Sequence, residues 1–387
     1  AVLLDGIRRH QALTKNDLVA LTDFSRSKIA GCVNSLLAKN ILTKDGYSDN
    51  TGGRRSVLYT LNGKRGLLFG SDIGATSIDL IITDLNRKVL ARYSESALVS
   101  EGPQKVLDRV PGLFIELVEK HGLSTRPVLA FGVGVPGPVN FKEGVVVSPP
   151  IMPGWDQFPI VDYLNEQWPD TLIIIDNDVN IMALGEFTNQ EVRDRKNIIF
   201  IKIGTGIGAG IISNGEIYRG SSGCAGDIGH ICVDKNGPIC PCGNRGCLEV
   251  LAGGAAIAER AMRAVREEKS PILGKYLDKN SGKLTAKEVG AAAKEGDETS
   301  IEIIRESGQL IGEVLAVLVN FYNPGRIVIG GGVSKFGNLL LASIRQSVLR
   351  RSLPLATKDL PIVFSSIIDD AGVFGAINLA LDQLLIR

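Results

Sequence analysis

No stretch of the 387 residues approaches the roughly 20 consecutive apolar positions that a bilayer-crossing helix needs, and no basic-then-apolar leader opens the chain. Both absences point to the cytoplasm and away from a membrane partner. An overall charge of one sign is missing too, since 43 Lys and Arg face 42 Asp and Glu. The balance is uneven along the chain, however. Residues 1 to 65 carry eleven Lys or Arg (Arg8, Arg9, Lys15, Arg26, Lys28, Lys39, Lys44, Arg54, Arg55, Lys64, Arg65) against five Asp, a net +6. The remaining 32 bases and 37 acids give −5. A basic end on an acidic body predicts a polyanion partner for that end alone. Histidine is scarce, at three, and of six cysteines three fall at Cys240, Cys242 and Cys247. Such clustering reads as metal or redox chemistry before disulfides.

What is present begins with three short helical patterns. Val2, Leu3, Leu4 and Ile7 form one apolar face. Thr14 opens a second helix, with Asp17 completing a capping box. Ser25 is the N-cap of a third helix, whose apolar positions Ile29, Val33, Leu36 and Leu37 recur at helical spacing. Ser25, Arg26, Ser27, Lys28 and Asn34 are left off the buried face. The start of the second helix of a helix-turn-helix is where side chains reach base edges and phosphates. Past Leu42 the period shortens: Val57, Tyr59 and Leu61 alternate as a strand does, after turn residues 49–53. A hairpin tipped by Gly52-Gly53-Arg54-Arg55 makes a wing whose arginines suit a minor groove or phosphates. The pattern predicts a winged helix-turn-helix binding double-stranded DNA, with a three-helix protein-docking module as the bland alternative.

From Gly66 the chain becomes strand-rich. Residues 67–73 form an apolar run ending in Asp72-Ile73-Gly74-Ala75-Thr76, and a second strand follows over 78–83. The arrangement recurs: a strand over 197–203, then Gly204-Thr205-Gly206-Ile207-Gly208-Ala209-Gly210, then a strand over 211–213. Glycine at such turns lets backbone N–H groups approach a phosphate. No Gly-Lys-Ser/Thr follows, so neither turn is a Walker loop. A third cluster, Gly330-Gly331-Gly332, follows the buried strand 327–329. Two such hairpins predict two similar α/β lobes facing one cleft, the actin/hexokinase-like (ribonuclease H-like) architecture. Asp72, Gly74, Thr76, Gly204, Thr205, Gly206, Gly331 and Gly332 are then the positions for a nucleotide. Residues 260–310 read as Lys/Glu-rich helices without assignable chemistry.

The buried strand 173–175 ends in Asp176-Asn177-Asp178-Val179-Asn180, before a helix over 181–187. A carboxylate and amides at a strand end suit the hydroxyls of a sugar, and one carboxylate can accept a proton as a hydroxyl attacks a phosphate. A helix N-cap cluster is the alternative. His230 with Cys240, Cys242 and Cys247, inside Cys-Pro-Cys-Gly-Asn-Arg-Gly-Cys-Leu-Glu, offers one imidazole and three thiolates. That set closes a tetrahedral shell, hence a structural Zn²⁺; a redox pair or unrelated buried thiols are the alternatives. Cys32, Cys224 and Cys232 read as packing residues.

On Gly226-Asp227-Ile228-Gly229-His230, the 240–249 segment, Asn177-Asp178-Val179-Asn180 and Gly134-Val135-Pro136-Gly137-Pro138, the chain resembles the ROK family (repressors, open reading frames and kinases). The leading winged helix is similar to that of the repressor branch, which includes xylose and N-acetylglucosamine repressors. The resemblance implies that Asn177, Asp178, Asp227, His230 and Glu249 line a sugar site, with Asp178 as base in kinase members and His230 serving both zinc and sugar. Two departures stand out. Asp227 replaces the usual Glu, one methylene shorter, and Ala75 replaces the second glycine of Asp-Ile-Gly-Gly-Thr. The expected organisation is a winged helix over 1–64, a first lobe over 65–190 plus 372–387, and a second lobe over 191–371. The expected function is a sugar-responsive transcriptional regulator acting as a homodimer or homotetramer. The alternative is an ATP-dependent hexose or N-acetylhexosamine kinase that uses Mg²⁺.

Overall fold

The computed structural model describes residues 2–48, 55–150, 152–188 and 196–386. They divide into two compact units. The first holds 2–48, 55–148, 152–178 and 373–386, so the amino-terminal module belongs to the same body as the lobe that follows it.

That module folds as the pattern predicts. Helices α1 (Val2–His10), α2 (Lys15–Leu21) and α3 (Arg26–Ala38) precede antiparallel strands β1 (Leu42–Tyr47) and β2 (Val57–Leu61). The capping box of α2 is complete: Asp17 N–H donates to Thr14 Oγ1 at 3.2 Å and Thr14 N–H to Asp17 Oδ2 at 2.8 Å. Ser25 caps α3 by accepting from Lys28 N–H at 3.3 Å. Leu13 exchanges two backbone bonds with Tyr59 and adds a bridge to the winged sheet. Leu3, Ile7, Leu18, Ile29, Val33 and Leu61 are buried. Val2, expected on the apolar face, is 59% exposed: Leu3 and Ile7, four residues apart, set the buried stripe of α1, and Val2 stands one residue off it. The wing tip Gly52-Gly53-Arg54 lies outside the described residues.

The rest of the first unit is a five-stranded sheet in the order β5-β4-β3-β6-β9, formed by β3 (Leu67–Ile73), β4 (Ser77–Thr83), β5 (Val89–Ser96), β6 (Val128–Val135) and β9 (Leu172–Asn177). The hairpin β7 (Val139–Asn140) and β8 (Val145–Val146) lies apart from it. Pairing is antiparallel through β3, β4 and β5 and parallel from β3 to β6 to β9. On one face Phe69 stacks on Phe114 with centroids 4.2 Å apart, and Phe131 and Trp168 meet them edge-on. On the other lies the C-terminal helix (Ala371–Ile386), whose side chains Val373, Ile377, Ala380 and Leu381 share a core with α1–α3 and β2. The helix comes so near that a Cβ on Gly132 would sit 2.0 Å from Ala376 O, and only glycine fits there.

The second unit repeats the plan. Its sheet runs β12-β11-β10-β13-β14, from β10 (Ile198–Ile203), β11 (Ile207–Ser213), β12 (Glu216–Ile217), β13 (Arg326–Gly330) and β14 (Ile362–Phe364). The order and the sequence of antiparallel and parallel pairs match the first sheet strand for strand. The duplicated lobe predicted from two glycine-rich hairpins is therefore present. Helices Gly254–Arg266, Pro271–Lys279, Ala286–Lys294 and Glu298–Tyr322 cover it, accounting for the Lys/Glu-rich stretch.

Three local expectations need correction. Strand β11 starts at Ile207 rather than 211, because Gly208 and Gly210 pair with Lys202 and Phe200 instead of remaining in the turn. The helix expected from 181 starts at Asp178, so this acid opens a helix (Asp178–Phe187) rather than ending a strand. Cys224 and Cys232 are exposed, and so are not packing residues; Cys32 is half-buried.

Candidate functional site

In the first unit, Asn177 closes β9 and Asp178 opens the next helix. Asn177 Nδ2 donates to Gly137 O at 2.8 Å, tying the end of β9 to the turn that follows β6. Asp178 is 5% exposed and Asn180 2%. The turn Gly74-Ala75-Thr76 joins β3 to β4, closed by Gly74 N–H on Ser77 O at 2.9 Å. Asp72 pairs across with Asp79, and Thr76 is exposed.

The second unit gathers most of the remaining candidates. A short helical turn, Ile228–His230, follows Asp227 and packs beside β11, where Ala209 N–H donates to Gly226 O at 2.8 Å. Gly226 has φ +104°, and a Cβ there would meet Ala209 O at 1.9 Å. That position belongs to glycine. The helix Leu248–Ala252 docks on the same turn through Leu248 N–H to Ile231 O at 2.9 Å. It carries Glu249, whose Oε2 accepts the backbone N–H of Ile207 at 3.0 Å. The carboxylate lies between the backbones of Gly206 and Gly229: a Cβ would stand 2.2 Å and 3.3 Å from Glu249 Oε2 at these two positions. Gly204, Thr205 and Gly206 meanwhile hold the start of the Gly254–Arg266 helix, with Gly254 N–H on Gly204 O at 2.8 Å and Ala255 N–H on Thr205 O at 3.3 Å. Gly331 follows β13, the parallel neighbour of β10, and sits against Ile203 O. The Gly204–Gly206 turn and Gly331 thus lie at the adjoining ends of β10 and β13, and Glu249 secures the start of β11.

The metal candidates also converge. One donor atom from each of His230, Cys240, Cys242 and Cys247 lies within 4.8 Å of all the others. Cys240 Sγ is 3.6 Å from His230 Nδ1 and Cys242 Sγ is 3.8 Å from Cys247 Sγ. Tetrahedral bonds of about 2.3 Å to sulfur and about 2.05 Å to nitrogen would set these edges at roughly 3.6 and 3.8 Å. The residues fit a closed four-coordinate ion. Cys240 N–H on Asn244 O at 2.7 Å and Gly243 N–H on Cys240 O at 2.9 Å fold the loop that brings the sulfurs together. Burial pushes the Cys247 thiol up to about 12 and raises that of Cys240, whereas the Asn244 backbone N–H lowers that of Cys242. A cation would replace these protons.

On the amino-terminal module Ser25, Arg26, Ser27, Lys28, Asn34 and Arg55 are all exposed; Arg54 lies outside the described residues. The Lys28 ammonium sits 3.7 Å from the centroid of the Phe24 ring. Sequence reasoning gave Phe24 no role beyond the turn it occupies; an aromatic four residues ahead of a lysine at a helix start is the available signal. It also missed the Glu249–Ile207 bond, at which only the side-chain-free Gly206 and Gly229 hinted.

Comparison with known proteins accords with this architecture. A profile of the ROK family matches residues 68–383. A xylose repressor of Caldicellulosiruptor bescii is 29% identical over 387 residues, 99% of this chain and 95% of that protein. A glucokinase of Halalkalibacterium halodurans is 34% identical over 307 residues, 79% of this chain and 92% of the enzyme. The crystal structure of a ROK family transcriptional regulator, a homologue of the Escherichia coli MLC protein, superposes with a TM-score of 0.84 at 25% identity, covering 100% of this chain and 96% of the other. The chain belongs to the ROK family.

Proposed function

We infer that the protein is a sugar-responsive transcriptional repressor, which binds operator DNA through its winged helix and a sugar through its ROK body. One observation carries the reading: the exposed Arg26–Lys28 edge of α3 belongs to the same compact body as Asn177 and Asp178. In this reading Ser25, Arg26, Ser27, Lys28, Asn34, Arg54 and Arg55 contact DNA. Asn177, Asp178, Asp227, His230 and Glu249 receive the sugar's hydroxyls. Repressor relatives named for xylose and for N-acetylglucosamine supply the first sugars to try. His230, Cys240, Cys242 and Cys247 hold a structural Zn²⁺, which neutralises the charge of the buried thiolates and fixes the loop leading to Glu249. Thiols gathered for a metal rather than for disulfides, together with a DNA target, support the cytoplasm as the protein's compartment. A homodimer matches the paired half-sites that helix-turn-helix proteins read. The partition into 1–64, 65–190 with 372–387, and 191–371 describes these roles. Fluorescence titration of a labelled operator with and without each sugar tests the reading; a salt- and sugar-insensitive chain contradicts it.

A second reading, ATP-dependent sugar phosphorylation, is favoured by the buried Asp178 and the glucokinase relative. Asp178 would accept the proton of the attacking hydroxyl, and Asp72, Gly74, Thr76, Gly204, Thr205, Gly206, Gly331 and Gly332 would surround the nucleotide with its Mg²⁺. Coupled ADP-release assays decide it: turnover abolished by Asp178→Asn supports the kinase, and no turnover on any sugar removes it.

A further inference from the structure

The amino-terminal module is fastened to the body by polar contacts as well as apolar ones. Arg8, on α1, is the hub. Its Nε and Nη2 donate to Asp5 Oδ1 at 3.2 and 2.7 Å, and its Nη1 lies 2.6 Å from Asp382 Oδ1 on the C-terminal helix. The Arg8 side chain is only 11% exposed. From the β4–β5 turn Arg87 reaches the same place. Its Nη2 donates to Arg8 O at 3.2 Å and its Nη1 to Asn378 Oδ1 at 3.2 Å. Asn378 and Asp382 are one helical turn apart on one face of the C-terminal helix. Arg87 adopts this role at φ +63°, a left-handed conformation that a residue with a Cβ rarely takes.

Apolar burial alone does not require such an arrangement. Ile7, Leu61, Leu85 and Leu381 already bury the seam. A hydrophobic seam is non-directional, whereas an arginine hydrogen-bonded to Asp5 on its own helix and ion-paired with Asp382 on the other brings one particular face of each helix together. Asp5 and Asp382 are 43% and 28% exposed, so the pair adds little to stability, and what it constrains is which faces of the two helices meet.

The same helix begins in the other unit. Its first residues, Ala371 and Gly372, belong to the second unit, and Val373 onward to the first. The segment before it is pinned within the second unit by Ser365, whose Oγ donates to Glu186 Oε2 at 2.7 Å; both residues are buried. Glu186 stands on the helix that Asp178 opens. Ile367 N–H returns to Ser365 Oγ at 3.1 Å and Ala371 N–H to Ile367 O at 2.8 Å, so hydrogen bonds lead without interruption from Glu186 to the helix start.

We propose that Arg8 and Asp382, with Arg87 and Asn378, are positioning residues that set the DNA reader on the C-terminal helix and pass sugar occupancy to it. The inference rests on the sugar-responsive reading above and adds the route of its regulation. Sugar bound at Asp178, which opens the helix carrying Glu186, acts on the Glu186–Ser365 anchor and hence on the C-terminal helix. Asp382 turns that displacement into reorientation of α1.

The test uses the full chain, a duplex selected by that chain from a randomised pool, and D-xylose, D-glucose and N-acetyl-D-glucosamine as probes. Asp382→Asn keeps the shape and removes the charge; Arg8→Lys keeps the charge and removes the fork; Asp382→Glu is the conservative rescue. Operator Kd is measured with and without each sugar, and sugar Kd without DNA. Couplings of this kind usually change affinity about 5- to 150-fold. In Asp382→Asn and Arg8→Lys the sugar-induced change should shrink to less than about threefold, with sugar Kd in the absence of DNA within about twofold of native. Asp382→Glu should recover most of the change. An undiminished sugar effect in both variants, or a fall in operator affinity at every sugar concentration with the ratio preserved, overturns the proposal while leaving the repressor reading standing. A native chain that ignores all three sugars overturns both.

Discussion

Glu249 Oε2 accepts the backbone N–H of Ile207 at 3.0 Å, so a carboxylate attributed to sugar binding also secures the glycine-rich hairpin of the second unit. The two tasks are separable by substitution. Glu249→Ala leaves a buried N–H without its acceptor, which costs about 1–3 kcal/mol. Glu249→Gln retains an acceptor and loses the charge. We predict a clear fall in denaturation midpoint for the alanine variant only, and at least roughly tenfold weaker sugar binding for both, as expected from one charged hydrogen bond of about 1.5–3 kcal/mol. An alanine variant of native stability would contradict the structural half of this role.

The four-residue metal site predicts about one zinc per chain by elemental analysis. Cys242→Ser should remove the metal and lower stability, since structural zinc contributes folding energy directly. Because the ion competes with protons for the thiolates, lowering the pH should release it. A metal-free chain that folds normally would contradict the assignment.

Lys28 and Phe24 separate charge from orientation on the DNA reader. Lys28→Met should reduce the slope of log K against log salt by about one unit, as loss of one phosphate contact does. Phe24→Leu leaves the charge in place and removes a ring contact worth about 0.5–1 kcal/mol at an exposed site. It should weaken operator binding about two- to fivefold at unchanged slope. Equal slopes for native and Lys28→Met protein would remove Lys28 from the interface.

Much of this is legible in the sequence because it is local. The Thr14–Asp17 box, the Ser25 cap and the Cys240–Cys247 loop lie within a few residues of sequence and are dictated by spacing. The two glycine-rich hairpins announce a duplication that the matching strand orders bear out. What cannot be read involves distant partners. Arg8 meets Asp382 across nearly the whole chain, and neither residue has a neighbourhood that sets it apart from ordinary surface charge. The bond from Glu249 spans 42 residues. The start of β11 is hidden because Gly208 and Gly210 suggest a loop in isolation; beneath them Val179 and Ala183 leave no room for a side chain, and the strand takes glycine for closeness.

Asp382 gives a pH prediction. Burial raises its carboxyl above the ordinary 3.8, opposed by the nearby Arg8, Arg9 and Arg87 and reinforced by Asp5. A carboxyl raised on folding binds its proton more tightly in the native state. Its contribution to stability is therefore full below the unfolded pKa and declines as pH rises through the folded one. Stability of the native chain relative to Asp382→Asn should fall over that interval, and carbon-13 NMR should place the carboxyl above 3.8, higher still in Arg8→Met. A titration at or below 3.8 would contradict the buried joint.

The central claim, that one chain joins an operator reader to a sugar-sensing ROK body, is tested most directly by fluorescence anisotropy of a selected duplex across a sugar and salt titration. The expected result is an affinity that drops steeply with salt and changes at least about fivefold with one sugar, the lower end of typical coupling. Operator binding that no sugar alters, at any salt concentration, would contradict it.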